Sequence, residues 1–222
     1  MLATVSADMV ELDVLAGRRR AVRSIWSASL SRFFEISRQT LQRVSVEIKA
    51  GCLETQAFLK GNAEEVGLGE RVIDDLLTNC PLSLTSPFED TASIAGGVWS
   101  GRVLFGPDFD DALAKLAFSA GTQDLPMHMH EFSDRFIVVA AGRGHFWWSE
   151  QRLDSFNGLS VHSVGVQQGD LLLFTRGLLH TFSAPLDELL LLSFHSPEIP
   201  FDDPRQFTLP QTLWTPRMIK AM

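Results

Sequence analysis

The chain has 222 residues, a formal net charge of −8, 45% apolar residues and 21% charged residues. That balance describes a folded chain with a sizeable core and excludes a disordered or collagen-like one. No apolar run is long enough for a membrane helix, and the acidic balance argues against non-specific binding to nucleic acid or anionic membranes.

The N-terminal residues lack a basic region followed by an apolar core, so no secretory signal is expected. The two cysteines, Cys52 and Cys80, form no CxxC pair and read as buried thiols of a cytoplasmic protein. Residues 8–48 carry a helical stripe: Val10, Leu12, Val14 and Leu15, then Val22, Ile25, Trp26, Leu30, Phe33, Phe34, Leu41 and Val44. Gly51 is the expected stop. A second helical stretch is expected over 53–79, interrupted at Gly61-Asn62, Gly67 and Gly69. Pro81, Pro87 and Gly96-Gly97 then mark a loop-rich connection. Charge is uneven, at +3 over residues 8–49 and −6 over residues 50–90. A basic partner surface therefore has only the N-terminal segment to occupy.

From residue 98 the pattern changes to period two and short apolar runs. The expected strands are Val98–Phe105, Ala112–Ser119, Arg135–Ala141, His145–Ser149, Val161–Val166, Leu171–Phe174, His180–Ser183 and Glu188–His195. Turns fall at Gly142-Arg143-Gly144, Asn157-Gly158, Gln168-Gly169-Asp170 and Pro185. Short strands at such close spacing predict a β-sandwich or barrel. Phe136–Val139 and Leu189–Leu192 are apolar on both faces and predict central, covered strands. The proline-rich tail, 197–222, is expected to wrap the barrel without regular structure.

All six histidines lie in this β region, at positions 128, 130, 145, 162, 180 and 195. His128 and His130 are two apart, so in extended backbone they face one side and make half of a metal site. His180 is the candidate third ligand. Alternation along Leu189–His195 aims His195 inward, while His145 and His162 are expected to face out. One of Trp147 and Trp148 must point in. No nucleophile elbow, P-loop or dinucleotide fingerprint is present.

Two stretches carry a family resemblance. Gly121 through Gly142 contains His128-Met-His130-Glu-Phe-Ser-Asp134-Arg135 and resembles the first motif of the cupin superfamily. Gly169-Asp170 through Thr175, Gly177, His180 and Ala184 resembles the second, with Thr175 and Ala184 in place of its Pro and Asn. The resemblance covers roughly residues 95–200. It implies a mainly β fold, a cupin-type jelly-roll β-barrel with an N-terminal α-helical region. The expected organisation is a helical region over 1–92, a barrel over 93–205 and a tail over 206–222.

The resemblance also implies His128, His130 and His180 as ligands of a divalent transition metal (Fe, Mn, Ni or Zn). Its fourth ligand, a glutamate, is replaced by Arg135, which cannot coordinate a cation. Three resolutions stay open. The site stands on three histidines, as in some iron-dependent cupin dioxygenases. Asp134 swings in from a bulge. Or the metal is lost and Arg135 holds the carboxylate of an organic ligand. Arg135 and His195 are the candidate substrate-binding residues.

Residues 30–44 also resemble a helix-turn-helix. Ser37 would cap a recognition helix carrying Arg38, Gln39 and Arg43, with Glu35 where a turn glycine is expected. The competing reading is a helical extension that packs on the barrel or forms a dimer contact. The functional expectations are therefore a three-histidine, dioxygenase-like enzyme acting on a small organic acid, the ligand-sensing domain of a DNA-binding regulator, or a metal-free binding module. A small-molecule ligand and a homodimer are the expected partners, and no membrane is.

Overall fold

In a computed structural model the described residues are 28–45, 58–78, 98–104 (backbone only), 111–199 and 203–221. Both cysteines, the stretches 8–27 and 79–97, and Gly51 lie outside them. The described elements are α1 (28–45), β1 (Phe58–Asn62), a 3-10 turn (Ala63–Val66), α2 (Glu70–Thr78), β2 (Val98–Leu104), β3 (Ala112–Phe118), β4 (Asp134–Ser149), β5 (His162–Gln167), β6 (Asp170–Phe174), β7 (Leu179–Ser183), β8 (Leu189–Ser196) and a final 3-10 helix (Pro216–Ala221). No described helix is long and apolar enough to cross a membrane.

The fold is mainly β and antiparallel. One sheet runs β1-β6-β4-β8-β3-β2, and the second half of β4 pairs with β5 and β7. The strand pair read as apolar on both faces, β4 and β8, is central. Alternation divides their side chains between two cores. Phe136, Val138, Leu171, Leu173, Leu192 and Phe194 face the helices, where they meet Leu30, Phe33, Phe34, Ile73 and Leu76. Ile137, Val139, Leu172, Phe174, Leu189 and Leu191 face the other way and pack on Phe146, Val166 and Phe182. The layers are thus helices, sheet, apolar interior and second sheet. Trp148 packs with the interior cluster, whereas Trp147 packs outside with Trp214 of the tail.

β4 is one strand of 16 residues where a turn was expected between two. It crosses from one sheet to the other at Gly142 and Gly144. A Cβ on Gly142 would sit 1.8 Å from the Glu188 carbonyl oxygen, and one on Gly144 2.4 Å from that of Ser183. Gly142 also has φ +76°, a conformation that disfavours side chains. The glycines therefore permit close strand approach instead of reversing the chain.

The helical stretch expected at 53–79 is divided. Residues 58–62 form β1, which extends the sheet through β6 in register Phe58↔Phe174 to Asn62↔Asp170. Asn62 then caps the 3-10 turn by accepting from the Glu64 N–H at 2.9 Å, and Gly67 ends it in the left-handed region. The region 1–92 accordingly contributes a strand to the barrel as well as helices.

The helix-turn-helix reading of 30–44 is corrected. These residues lie in one uninterrupted helix, with no turn at Glu35. Ser37 sits inside it and donates its hydroxyl to the Phe33 carbonyl at 2.7 Å, so it caps nothing. Arg38 is ion-paired with Asp111 beside β3 and lies over the Phe34 ring. The apolar face of α1 packs on the sheet through Phe33–Phe136 and Phe34–Phe194 edge contacts at 5.8 and 5.1 Å.

Because Phe33 joins helix and sheet in one core, Phe33→Ala is expected to cost about 3–5 kcal/mol. Denaturant unfolding followed by circular dichroism and by tryptophan fluorescence should give one shared transition at lower midpoint. A loss below about 1 kcal/mol, or separate transitions for helix and sheet, would contradict the shared core.

Candidate metal centre

The His-x-His run lies in extended backbone ahead of β4. His128 pairs with His180 of β7 through two backbone hydrogen bonds of 3.0 and 2.8 Å. Met129 pairs with Thr208 of the tail through two more, at 3.0 and 2.9 Å. Alternation puts Met127 and Met129 in the outer cluster with Trp214. His128 and His130 take the opposite face, beside His180. The ring centroids are 4.6 Å (His128–His180), 5.1 Å (His128–His130) and 5.2 Å (His130–His180) apart. One ring nitrogen from each lies within 4.8 Å of the others. His180 is fully buried, with its ring 4.3 Å from that of Phe174. His128 and His130 are half-buried.

Hydrogen bonding selects which nitrogen each imidazole offers. Nδ1 of His128 contacts the Pro126 carbonyl at 2.9 Å, and Nδ1 of His180 the Leu178 carbonyl at 2.9 Å. Nδ1 of His130 contacts the Gln206 carbonyl at 2.5 Å. A carbonyl only accepts, so each Nδ1 carries the proton. Each Nε2 is then left as a lone pair, the tautomer that a metal-ligating imidazole needs. Burial, the largest cause in each case, keeps all three rings neutral. His128 is pushed down to about 4, and His130 and His180 well below the usual imidazole range. The positive charge of Arg135 pushes the same way on every ring. Three neutral nitrogen donors held together in this way fit a divalent transition metal.

Arg135 faces the interior with Ile137. The register sets it between Phe174 of β6 and His195 of β8. It is 2% exposed, and burial pushes its guanidinium down to about 9 against the pull of Asp134 and Glu198. It therefore stays cationic at neutral pH. Its Nη1 donates to the Ser133 hydroxyl and to the Asp134 carbonyl, the latter at 3.2 Å. Its Nη2 has no hydrogen-bond partner among the described residues. A buried, unpartnered cationic donor is costly unless a ligand completes it. His195 is also buried and shares a hydrogen bond of 3.0 Å between its Nε2 and the Ser193 hydroxyl.

Of the residues singled out from the sequence, His128, His130 and His180 come together, and Arg135 and His195 are neighbours. Asp134 does not join them. Its Oδ1 accepts from the Arg176 backbone N–H at 2.7 Å and from Nε at 3.2 Å, and its Oδ2 accepts from Nη2 at 2.9 Å. A carboxylate already held by three donors is not offered to a metal, so the bulge reading is corrected. His162 is exposed, as expected, and His145 lies on the outer face of the second sheet. Gln206 and Phe207 were not anticipated. Gln206 acts through its backbone carbonyl, which no residue type signals. The Phe207 ring stands 5.8 Å from that of His128.

No protein-family model and no curated protein matches the chain. Among solved structures it is similar to a cupin-2 domain from Rhodospirillum rubrum, at 17% identity and TM-score 0.41 over 56% of this chain and 72% of that one. Oxalate decarboxylase from Lactobacillus farciminis is similar at 17% identity and TM-score 0.42 over 55% and 33%. Vicilin from hazelnut, Corylus avellana, is similar at 17% and 0.40 over 48% and 30%. The chain thus spans about a third of the length of the last two.

Imidazole nitrogen NMR of the metal-free protein should show His128, His130 and His180 as Nδ1–H tautomers. A proton on Nε2 would contradict the arrangement. Unfolded imidazoles take up protons near about 6.5, whereas folded His128 resists until about 4. The unfolded state therefore binds more protons between these values, and the metal-free fold should lose stability as pH falls through that window. Stability that stays flat from pH 7 to 4.5 would be inconsistent with neutral buried rings.

Proposed function

We propose that this chain is a metal-binding cupin that holds one divalent transition metal on His128, His130 and His180 and receives a small organic acid at Arg135. The observation that carries this is the convergence of three imidazoles whose Nδ1 atoms are all occupied by backbone carbonyls. Iron, manganese, nickel and zinc all suit imidazole donors. Such an ion supplies Lewis acidity or, for iron, activation of dioxygen.

The chain's own residues favour an acid as the ligand. Three neutral imidazoles bring no negative charge to balance a divalent cation. Arg135, whose register partner Phe174 packs against the His180 ring, adds a further positive charge beside the histidines. An anionic ligand offsets both, and the unpartnered Nη2 supplies a donor for it. Phe174 and Phe146, packed around His180, limit water access to its ring. His195, buried and paired with Arg135 across β4–β8, adds a second polar side chain beside that anchor. A dioxygenase-like oxidation of the acid fits this arrangement and is the reading we favour. A ligand-sensing protein without turnover would use the same anchor.

Elemental analysis of protein purified without an affinity tag should find near one equivalent of transition metal. The His128→Ala/His180→Ala variant should lose it while remaining folded by circular dichroism. Absence of metal from the wild type, even after anaerobic loading with Fe, Mn, Ni or Zn, would overturn the metal reading and leave Arg135 as an anion anchor alone.

A further inference from the structure

The tail completes the site with apolar side chains. Met129 and Thr208 are direct antiparallel partners, and their side chains share one face. Thr208 there donates its hydroxyl to the Glu131 carboxylate at 3.0 Å. The flanking residues, Phe207 and Leu209, therefore lie on the opposite face, that of His128 and His130. The ring contact between Phe207 and His128 agrees with this placement. Phe207 and Leu209 are nevertheless 42% and 40% exposed. The segment is held by the Met129–Thr208 bonds and by the Gln206 carbonyl on His130. Phe207 is thus fixed beside His128, with Leu209 two residues on, and both keep much of their surface uncovered.

The other end of the site has the opposite character. Arg135 is buried and cationic, and its Nη2 has no hydrogen-bond partner among the described residues. The imidazoles adjoin both ends, since Phe174, the register partner of Arg135, lies 4.3 Å from the His180 ring and Phe207 touches His128. An acid made only of polar groups would use the inner end and leave the outer one wet.

We propose that the acid taken by this site carries an apolar group, an aryl ring or branched alkyl chain, with its carboxylate directed inward to Arg135 and its apolar end against Phe207 and Leu209. This rests on the reading of Arg135 as the acid's anchor. Binding follows from two separable contributions. The charge-assisted hydrogen bonds orient the carboxylate, and burial of the apolar end against the two side chains adds affinity in proportion to area.

The test uses the full chain, with and without Zn²⁺, and isothermal titration with acetate, isovalerate, benzoate, phenylacetate and benzyl alcohol. Phenylacetate and isovalerate should bind at least about tenfold more tightly than acetate. Benzyl alcohol, which lacks the carboxylate, should not bind measurably. In Phe207→Ala/Leu209→Ala, checked as folded by circular dichroism, the preference over acetate should shrink to about threefold or less. Equal affinity for all acids in the wild type would overturn the proposal while leaving the Arg135 anchor standing. So would a preference that survives the double substitution. No binding of any acid by a protein that retains zinc would overturn the anchor and the proposal together. A wild-type dimer that becomes monomeric in the double variant, by light scattering, would assign the two side chains to a second copy of the chain and overturn the proposal.

Discussion

Which nitrogen of an imidazole carries the proton decides whether a histidine can bind a metal, and here three backbone carbonyls make that choice. Two of them belong to the residue two before the histidine, Pro126 for His128 and Leu178 for His180. The third, Gln206, comes from the tail, 76 residues away from His130. The carbonyls remove each ring's proton from the shared centre and hold each ring in place. Burial adds to this by disfavouring the protonated form. A centre of this kind needs the β7 strand and the tail to be in register with the His-x-His run. The backbone pairs His128↔His180 and Met129↔Thr208 supply that register.

The helical layer reaches the site through the same strands. Phe33 and Phe34 cover Phe136 and Phe194 on the outer face of β4 and β8. With that face sealed, the side chains between them, Arg135 and His195, have only the interior to enter. Burial of a guanidinium is costly unless its charge and its donors are matched. Ser133 and the Asp134 carbonyl meet part of that need. An arginine where a carboxylate would complete a metal shell changes the requirement. On the function we propose, the charge that completes the balance arrives with an anionic ligand.

Much of this was legible in the sequence, because two signals were strong. Period-two alternation located the strands from Val98 to His195 within one or two residues, except that β4 was read as two strands, and the both-faces-apolar runs identified β4 and β8 as central. The His-x-His spacing with His180 located the imidazole cluster. The failures have physical causes. Phe58–Asn62 is short and lies ahead of a real helix, and only its pairing with β6 makes it a strand. Gly142 and Gly144 are turn residues by type, but here they are small because two strands approach closely. Ser37 resembles a cap, yet tertiary packing of Leu30, Phe33, Phe34 and Val44 on the sheet carries the helix straight through it. Asp134 was a ligand candidate by position, and Arg176 claims its carboxylate instead. Gln206 was invisible because a backbone carbonyl has no residue signature.

On the proposed function, three Nε2 atoms and no described carboxylate bind the metal. X-ray absorption spectroscopy at the metal edge of the loaded protein tests it most directly. The expected shell is three imidazole nitrogens near about 2.0–2.1 Å for zinc, with remaining positions filled by exchangeable oxygen. A shell with fewer than three imidazoles, or one that loses a fixed carboxylate oxygen in Asp134→Asn, would contradict it.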